Sequence, residues 1–125
     1  MKRIIHTTNA PAAVGPYSQA VEAGNTLYVS GQIALDPASG KLIEGGIKEQ
    51  TRQVMQNIGS ILEAAGYSFD QVVKCTCLLS NMDNFKDMNE VYSGFFPADP
   101  PARAAYAVNR LPLDVLVEIE TIAVK

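Results

Sequence analysis

The chain has 125 residues and a mass of 13.4 kDa, which is the length of one domain, taken as residues 1–125. With 47% hydrophobic and 18% charged residues it is too apolar, at too low a charge, for a disordered chain. Ten basic against 13 acidic residues give a formal charge of −3, which offers no footprint for a nucleic-acid backbone, and no apolar run approaches the ~20 residues of a membrane helix.

Met1 to His6 open with basic character, but polar Thr7, Thr8 and Asn9 interrupt any signal-peptide core. Cys75 and Cys77, one residue apart, are badly placed for a mutual disulfide. Both features point to a cytoplasmic protein with reduced thiols.

In chain order, Ile4-Ile5 begin a first strand that also takes in His6. The stretch from Tyr17 to Ala23 and the β-forming Thr26–Ser30 flank Gly24-Asn25, the pattern of a hairpin. Asp36 to Gly40 form a surface turn. From Ile47 to Ala65, Ile47, Thr51, Val54, Ile58, Ile61 and Ala65 recur at spacings of three and four, with charged and amide residues opposite; an amphipathic helix is predicted, stopped by Gly66. Gln71–Leu79 is dense in Val, Thr and Cys and reads as a strand. Asp83 or Asn84 then caps a second helix whose stripe is Phe85, Met88, Tyr92 and Phe95, ended by Pro97, Pro100 and Pro101. Two last strands follow, Arg103–Asn109 and Asp114–Val124, joined through Leu111-Pro112-Leu113. The order β-β-β-α-β-α-β-β is an α+β pattern with six strands in a mixed sheet and two helices on one face. Ala105 and Ala107 alternate with Tyr106 and Val108, so both sides of that strand are apolar or small. The sheet face bearing Ala105 and Ala107 is expected to pack against further copies, making a symmetric oligomer.

Period-two alternation places Glu118 and Glu120 side by side on one face of the last strand, among apolar neighbours. Either the strand lies at a sheet edge and the pair is solvated, or a cleft-facing acid with a raised pKa activates water. Arg103 shares its face with Ala105 and Ala107, which leaves room for a small anion; its fork of donors matches a planar carboxylate, and the competing reading is a surface arginine paired with an acid. Asn89 lies four residues after Phe85 and three before Tyr92, where its amide can serve a site or face water. Gly15-Pro16-Tyr17-Ser18 and Ser30-Gly31-Gln32 read as glycine-containing turns at strand ends, without the spacing or lysine of a phosphate loop. His6 is the only histidine, so neither a hydrolytic triad nor a zinc ligand set assembles around Cys75 and Cys77, which read as small buried residues.

The segments Asn9–Gln19, Ser30-Gly31-Gln32, Asn89-Glu90-Val91-Tyr92, Pro101-Ala102-Arg103, and Arg110-Leu111-Pro112 through Val117–Glu120 together resemble the Rid family, also called YjgF or L-PSP, over essentially the whole chain. The resemblance is to its RidA branch of reactive-intermediate deaminases. It implies a chorismate-mutase-like subunit and a homotrimer with active sites in the clefts between subunits. It further implies hydrolysis of 2-imino acids, such as 2-iminobutanoate and 2-iminopropanoate, to 2-keto acids and ammonia without metal or organic cofactor, the imines arising from pyridoxal-phosphate dehydratases. On this resemblance Arg103 holds the substrate carboxylate, Glu118 positions the attacking water, and Tyr17, Ser30, Gly31 and Asn89 line the pocket. Many members carry cysteine where this chain has Ala105, so a thiol nucleophile there is excluded, while the amide of residue 105 remains a possible ligand contact. Other relatives are described as endoribonucleases or translation inhibitors, or as ligand-binding or chaperone-like proteins without turnover. The acidic balance and single histidine speak against RNA cleavage, and the pairing of Arg103 with Glu118 speaks against binding alone.

Overall fold

The computed structural model describes residues 1–125. Eight elements follow one another: β1 (Lys2–Ile5), β2 (Ala20–Ala23), β3 (Thr26–Gln32), α1 (Ile47–Ala65), β4 (Val72–Leu79), α2 (Phe85–Ser93), β5 (Ala102–Ala107) and β6 (Val117–Val124). The strands form one sheet in the order β1-β2-β3-β6-β4-β5, antiparallel throughout except for the parallel pair β4 and β5. The predicted α+β class, the six strands and the two helices are therefore all present. No helix is long and apolar enough to cross a membrane.

Local chemistry accounts for most of these elements. Ala23 pairs with Thr26, leaving Gly24-Asn25 as a two-residue hairpin loop, and Gly24 takes the positive φ of 60° that such loops demand. The apolar stripe of α1 is buried, and Gly66 ends the helix in the left-handed conformation with φ 81°. Val54, Ile58 and Ile61 of α1 and Leu27, Cys77 and Ile119 of the sheet are fully buried members of one core cluster. Burial raises both thiols, Cys77 to about 12, so these cysteines serve as small core residues.

Several boundaries differ from expectation. His6 lies just beyond β1, the helical turn at Phe69–Gln71 precedes β4, and β6 begins at Val117 because Pro112–Asp114 form a turn in which Leu113 and Asp114 both have positive φ. The second helix is not capped by the side chain of Asp83 or Asn84. Asn81 Oδ1 instead accepts from the amide of Asp83, at 2.8 Å, and starts a turn that runs into α2.

The larger correction concerns the uncovered face. Arg103, Ala105 and Ala107 pair with Cys75, Cys77 and Leu79, and paired residues project to the same side. Since those three β4 residues are buried under the helices, Arg103 and Ala105 belong to the helix side, and Ala105 packs against the core. The face without helices instead carries Thr76 and Leu78 of β4, Ala104 and Tyr106 of β5, and Glu118, Glu120 and Ile122 of β6, with Tyr28 of β3 beside them. Tyr28 and Tyr106 are each about half exposed there. The uncovered face is therefore not the one bearing Ala105 and Ala107, and it is mixed: Leu78, Ala104, Tyr106, Ile122 and Tyr28 stand beside Lys74, Thr76, Glu118 and Glu120.

Candidate active site

β6 is an interior strand, between β3 and β4, which eliminates the reading of Glu118 and Glu120 as an edge pair. Glu120 is exposed, whereas Glu118 is half-buried. The register of β3 against β6 explains the difference. Val29 pairs with Thr121 and Gln32 with Ile119, so β3 carries one extra residue and bulges at Ser30-Gly31. The bulge presses the Gly31 backbone onto Glu118: a Cβ built on Gly31 would meet Glu118 Oε2 at 2.1 Å. Only glycine leaves room for that carboxylate in its present place. Burial first, and the like charge of Glu120 second, raise the pKa of Glu118 above its ordinary 4.5.

Glu118 lines a cavity of about 670 Å³ together with Tyr17, Ser30 and Gly31, under a rim that includes Val14, Ile33 and Leu113. Side-chain amides and hydroxyls build this rim. Gln19, buried, bonds the amide of Thr7 and the carbonyls of Thr7 and Pro11, folding the segment before Tyr17 over the sheet. Ser30 Oγ donates to Ser18 O at 2.6 Å, and Asn57 of α1 donates to Leu35 O at 3.0 Å. Ser30-Gly31-Gln32 thus belongs to β3 and is no turn, contrary to the expectation.

Arg103 and Asn89 lie elsewhere. They line a second cavity, of about 450 Å³, with Tyr92, Phe96, Pro100 and Pro101. Arg103 Nη1 donates to Asn89 Oδ1 at 2.6 Å, and its guanidinium carbon sits 5.4 Å from the centre of the Phe85 ring and 5.0 Å from that of Tyr92. The chain's ion pairs are Arg3 and Lys125 with Glu22, Lys48 with Glu90, and Arg110 with Asp114, so Arg103 is not the ion-paired surface arginine of the competing reading. Ala105 lines neither cavity.

The predicted residues therefore fall into two groups on opposite faces of one sheet. Glu118 pairs with Leu78, Arg103 with Cys75, and these two β4 residues alternate in direction. One group holds a proton acceptor in a partly desolvated wall, the other an unneutralised anion receptor. No three His, Cys, Asp or Glu side chains converge in a way that would hold a metal ion. Phe85 and Tyr92 are contacts of Arg103 that their positions in the apolar stripe of α2 disguised; their i, i+4, i+7 spacing with Asn89 was the available signal.

Comparison with known proteins agrees with this architecture. The family model described as Endoribonuclease L-PSP matches residues 7–125. The mouse protein named 2-iminobutanoate/2-iminopropanoate deaminase is 52% identical over 100% of this chain and 93% of its own length, and its human counterpart is 48% identical over 100% and 91%. Among solved structures, RidA from an Antarctic Psychrobacter superposes with a TM-score of 0.95 at 47% identity, covering 98% of this chain and 99% of that one. Escherichia coli TdcF with bound serine superposes at 0.94 and 40%, covering 98% of each. A match over almost the whole sequence, to relatives about half identical and to solved structures that superpose over nearly their full length, is decisive: the chain belongs to the Rid/YjgF/L-PSP family.

Proposed function

We propose that this protein hydrolyses reactive 2-imino acids, 2-iminobutanoate and 2-iminopropanoate among them, to 2-keto acids and ammonia. Its active sites are built between the subunits of a homotrimer. The observation that carries the reading is the split of the site: one chain sets Arg103 and Asn89 on the helix side and Glu118 and Gly31 on the other, each opening onto its own cavity. The uncovered face, on which Tyr28 and Tyr106 are half exposed beside Ile122, supplies a surface for the copies that would join the halves. The names of the mammalian relatives, and the serine bound to TdcF, a small carboxylate-bearing amino acid, support the same substrate class.

In the assembled site Arg103 of one subunit takes both oxygens of the substrate carboxylate in its donor fork. The protonated imine carbon then lies beside Glu118 of the neighbour. Glu118 accepts a proton from water as the water oxygen bonds to that carbon, and the C=N π electrons move to nitrogen. The acid returns the proton to the amine of the resulting carbinolamine. It next takes the hydroxyl proton as the C–N bond breaks and passes it to the departing ammonia, so that ammonium and the 2-keto acid are released and the carboxylate is restored. Each step uses one carboxylate in two protonation states, and a raised pKa makes Glu118 the better acceptor. Nothing in these steps requires a cofactor. The two buried, unpaired cysteines support a reducing, cytoplasmic setting. A net charge of −3 supports neither nucleic-acid binding nor the endoribonuclease alternative.

Subunit mixing tests the reading. Arg103→Ala and Glu118→Gln homotrimers are each expected to be nearly inactive toward 2-iminobutanoate generated enzymatically from threonine. When the two variants are coexpressed in equal amounts, three quarters of random trimers are mixed and each contains one intact site in three. About one quarter of wild-type activity should return. A mixture as inactive as its components would place the whole site within one chain, and homotrimers as active as wild type would remove these residues from it.

A further inference from the structure

Arg103 is held by neutral groups alone. Phe85, Asn89 and Tyr92 stand on one face of α2 at i, i+4 and i+7. They meet the guanidinium with two aromatic rings, 5.4 and 5.0 Å from its carbon, and one amide oxygen, 2.6 Å from Nη1. A carboxylate at any of these positions would grip the arginine as firmly but would cancel its charge. The face of an aromatic ring attracts a cation through its quadrupole and carries no net charge, and an amide oxygen accepts a hydrogen bond on the same terms. The guanidinium is thereby oriented without being neutralised, and its other N–H groups make no hydrogen bond within the chain.

We infer that Phe85 and Tyr92 are positioning residues for the carboxylate anchor, their rings fixing the guanidinium of Arg103 while leaving its full charge for the ligand. The inference rests on the proposed function, since it assigns how that site recognises its substrate. Tyr92 carries a second mark of this role. It is only 5% exposed and its hydroxyl is buried without a hydrogen-bond partner, with the thiol of Cys75 as its polar neighbour, so the hydroxyl contributes little and the ring is what the position uses. The arrangement also accounts for the mid-helix asparagine, an unfavourable residue for helix interiors: aspartate there would pair with Arg103.

The test measures 2-ketobutyrate affinity and the separate KM and kcat for 2-iminobutanoate hydrolysis in the assembled protein. Phe85→Leu and Tyr92→Leu keep apolar bulk but remove the π face. Each is expected to weaken 2-ketobutyrate binding and raise KM by roughly tenfold, with kcat changed much less. Tyr92→Phe, which restores the ring without the hydroxyl, should recover most of the affinity lost in Tyr92→Leu. Asn89→Asp should weaken binding more than Asn89→Ala, because the new carboxylate competes for the arginine. If Tyr92→Leu fails to fold, as judged by its melting transition, the partly buried Phe85 decides the matter. Folded Leu variants that bind 2-ketobutyrate like wild type, or that lose kcat with KM unchanged, would overturn the assignment. Normal binding in those variants alongside lost binding in Arg103→Ala would reject the aromatic role alone. Normal hydrolysis in Arg103→Ala would reject the proposed site itself.

Discussion

Gly31→Ala is the sharpest perturbation the fold offers, because it moves the Glu118 carboxylate and little else. The added methyl would meet Glu118 Oε2 at 2.1 Å, Cδ at 3.0 Å and Cγ at 3.2 Å, whereas ordinary contact begins at 3.4 Å. The difference of 1.3 Å, from 3.4 and 2.1 Å, is the least distance that the carboxylate oxygen must travel. A carboxylate at the end of a flexible chain swings aside at small cost, so the fold should survive with a melting temperature only a few degrees lower. A displacement of about 1 Å at a reacting group costs on the order of 10²-fold in rate. Imine hydrolysis should therefore fall by about that factor while 2-ketobutyrate binding, which the proposed function assigns to Arg103, stays within a few-fold. Adding Glu118→Asp withdraws the carboxylate by one methylene, so the double variant should lose much less than the product of the two single losses. Hydrolysis near the wild-type rate in Gly31→Ala, with trimer and melting temperature intact, would refute the placement of Glu118 as the group that handles water.

Further outcomes concern pH and assembly. The raised pKa of Glu118 places the acid limb of the kcat/KM profile above the ordinary glutamate value of 4.5 and opposes folding only where the carboxyl is ionised. The unfavourable contribution is absent below pH 4.5 and grows as pH rises from there through the folded-state pKa, so Glu118→Gln should raise the melting temperature at pH 7 and not at pH 3, at fixed protein concentration; the reverse ordering would contradict the burial argument. Wild type should scatter light as a particle of about 40 kDa, three copies of a 13.4 kDa chain, and Tyr106→Asp on the uncovered face should yield a folded monomer that has lost at least 10²-fold in hydrolysis; an active monomer would dispose of the intersubunit site.

What the sequence by itself determined is what local periodicity and turn chemistry encode. The 3.6-residue stripe of Ile47–Ala65 predicted α1 to the residue, Gly24-Asn25 predicted the hairpin, and alternation along the last strand put Glu118 and Glu120 on one face and Ile119 and Thr121 on the other. The motif residues shared with a known family carried the identities of Arg103, Asn89, Gly31 and Glu118. Tertiary structure decided where those residues stand relative to one another, because strand neighbours and register depend on contacts between distant segments. Insertion of β6 between β3 and β4 made Glu118 an interior residue, and the parallel pairing of Cys75 with Arg103 turned the arginine toward α2 and away from the uncovered face. One extra residue at Ser30-Gly31 brought a backbone against the acid. A strand's alternation states that two side chains share a face; only pairing across the sheet states which face, and that choice separates the anion receptor from the proton acceptor within a single chain.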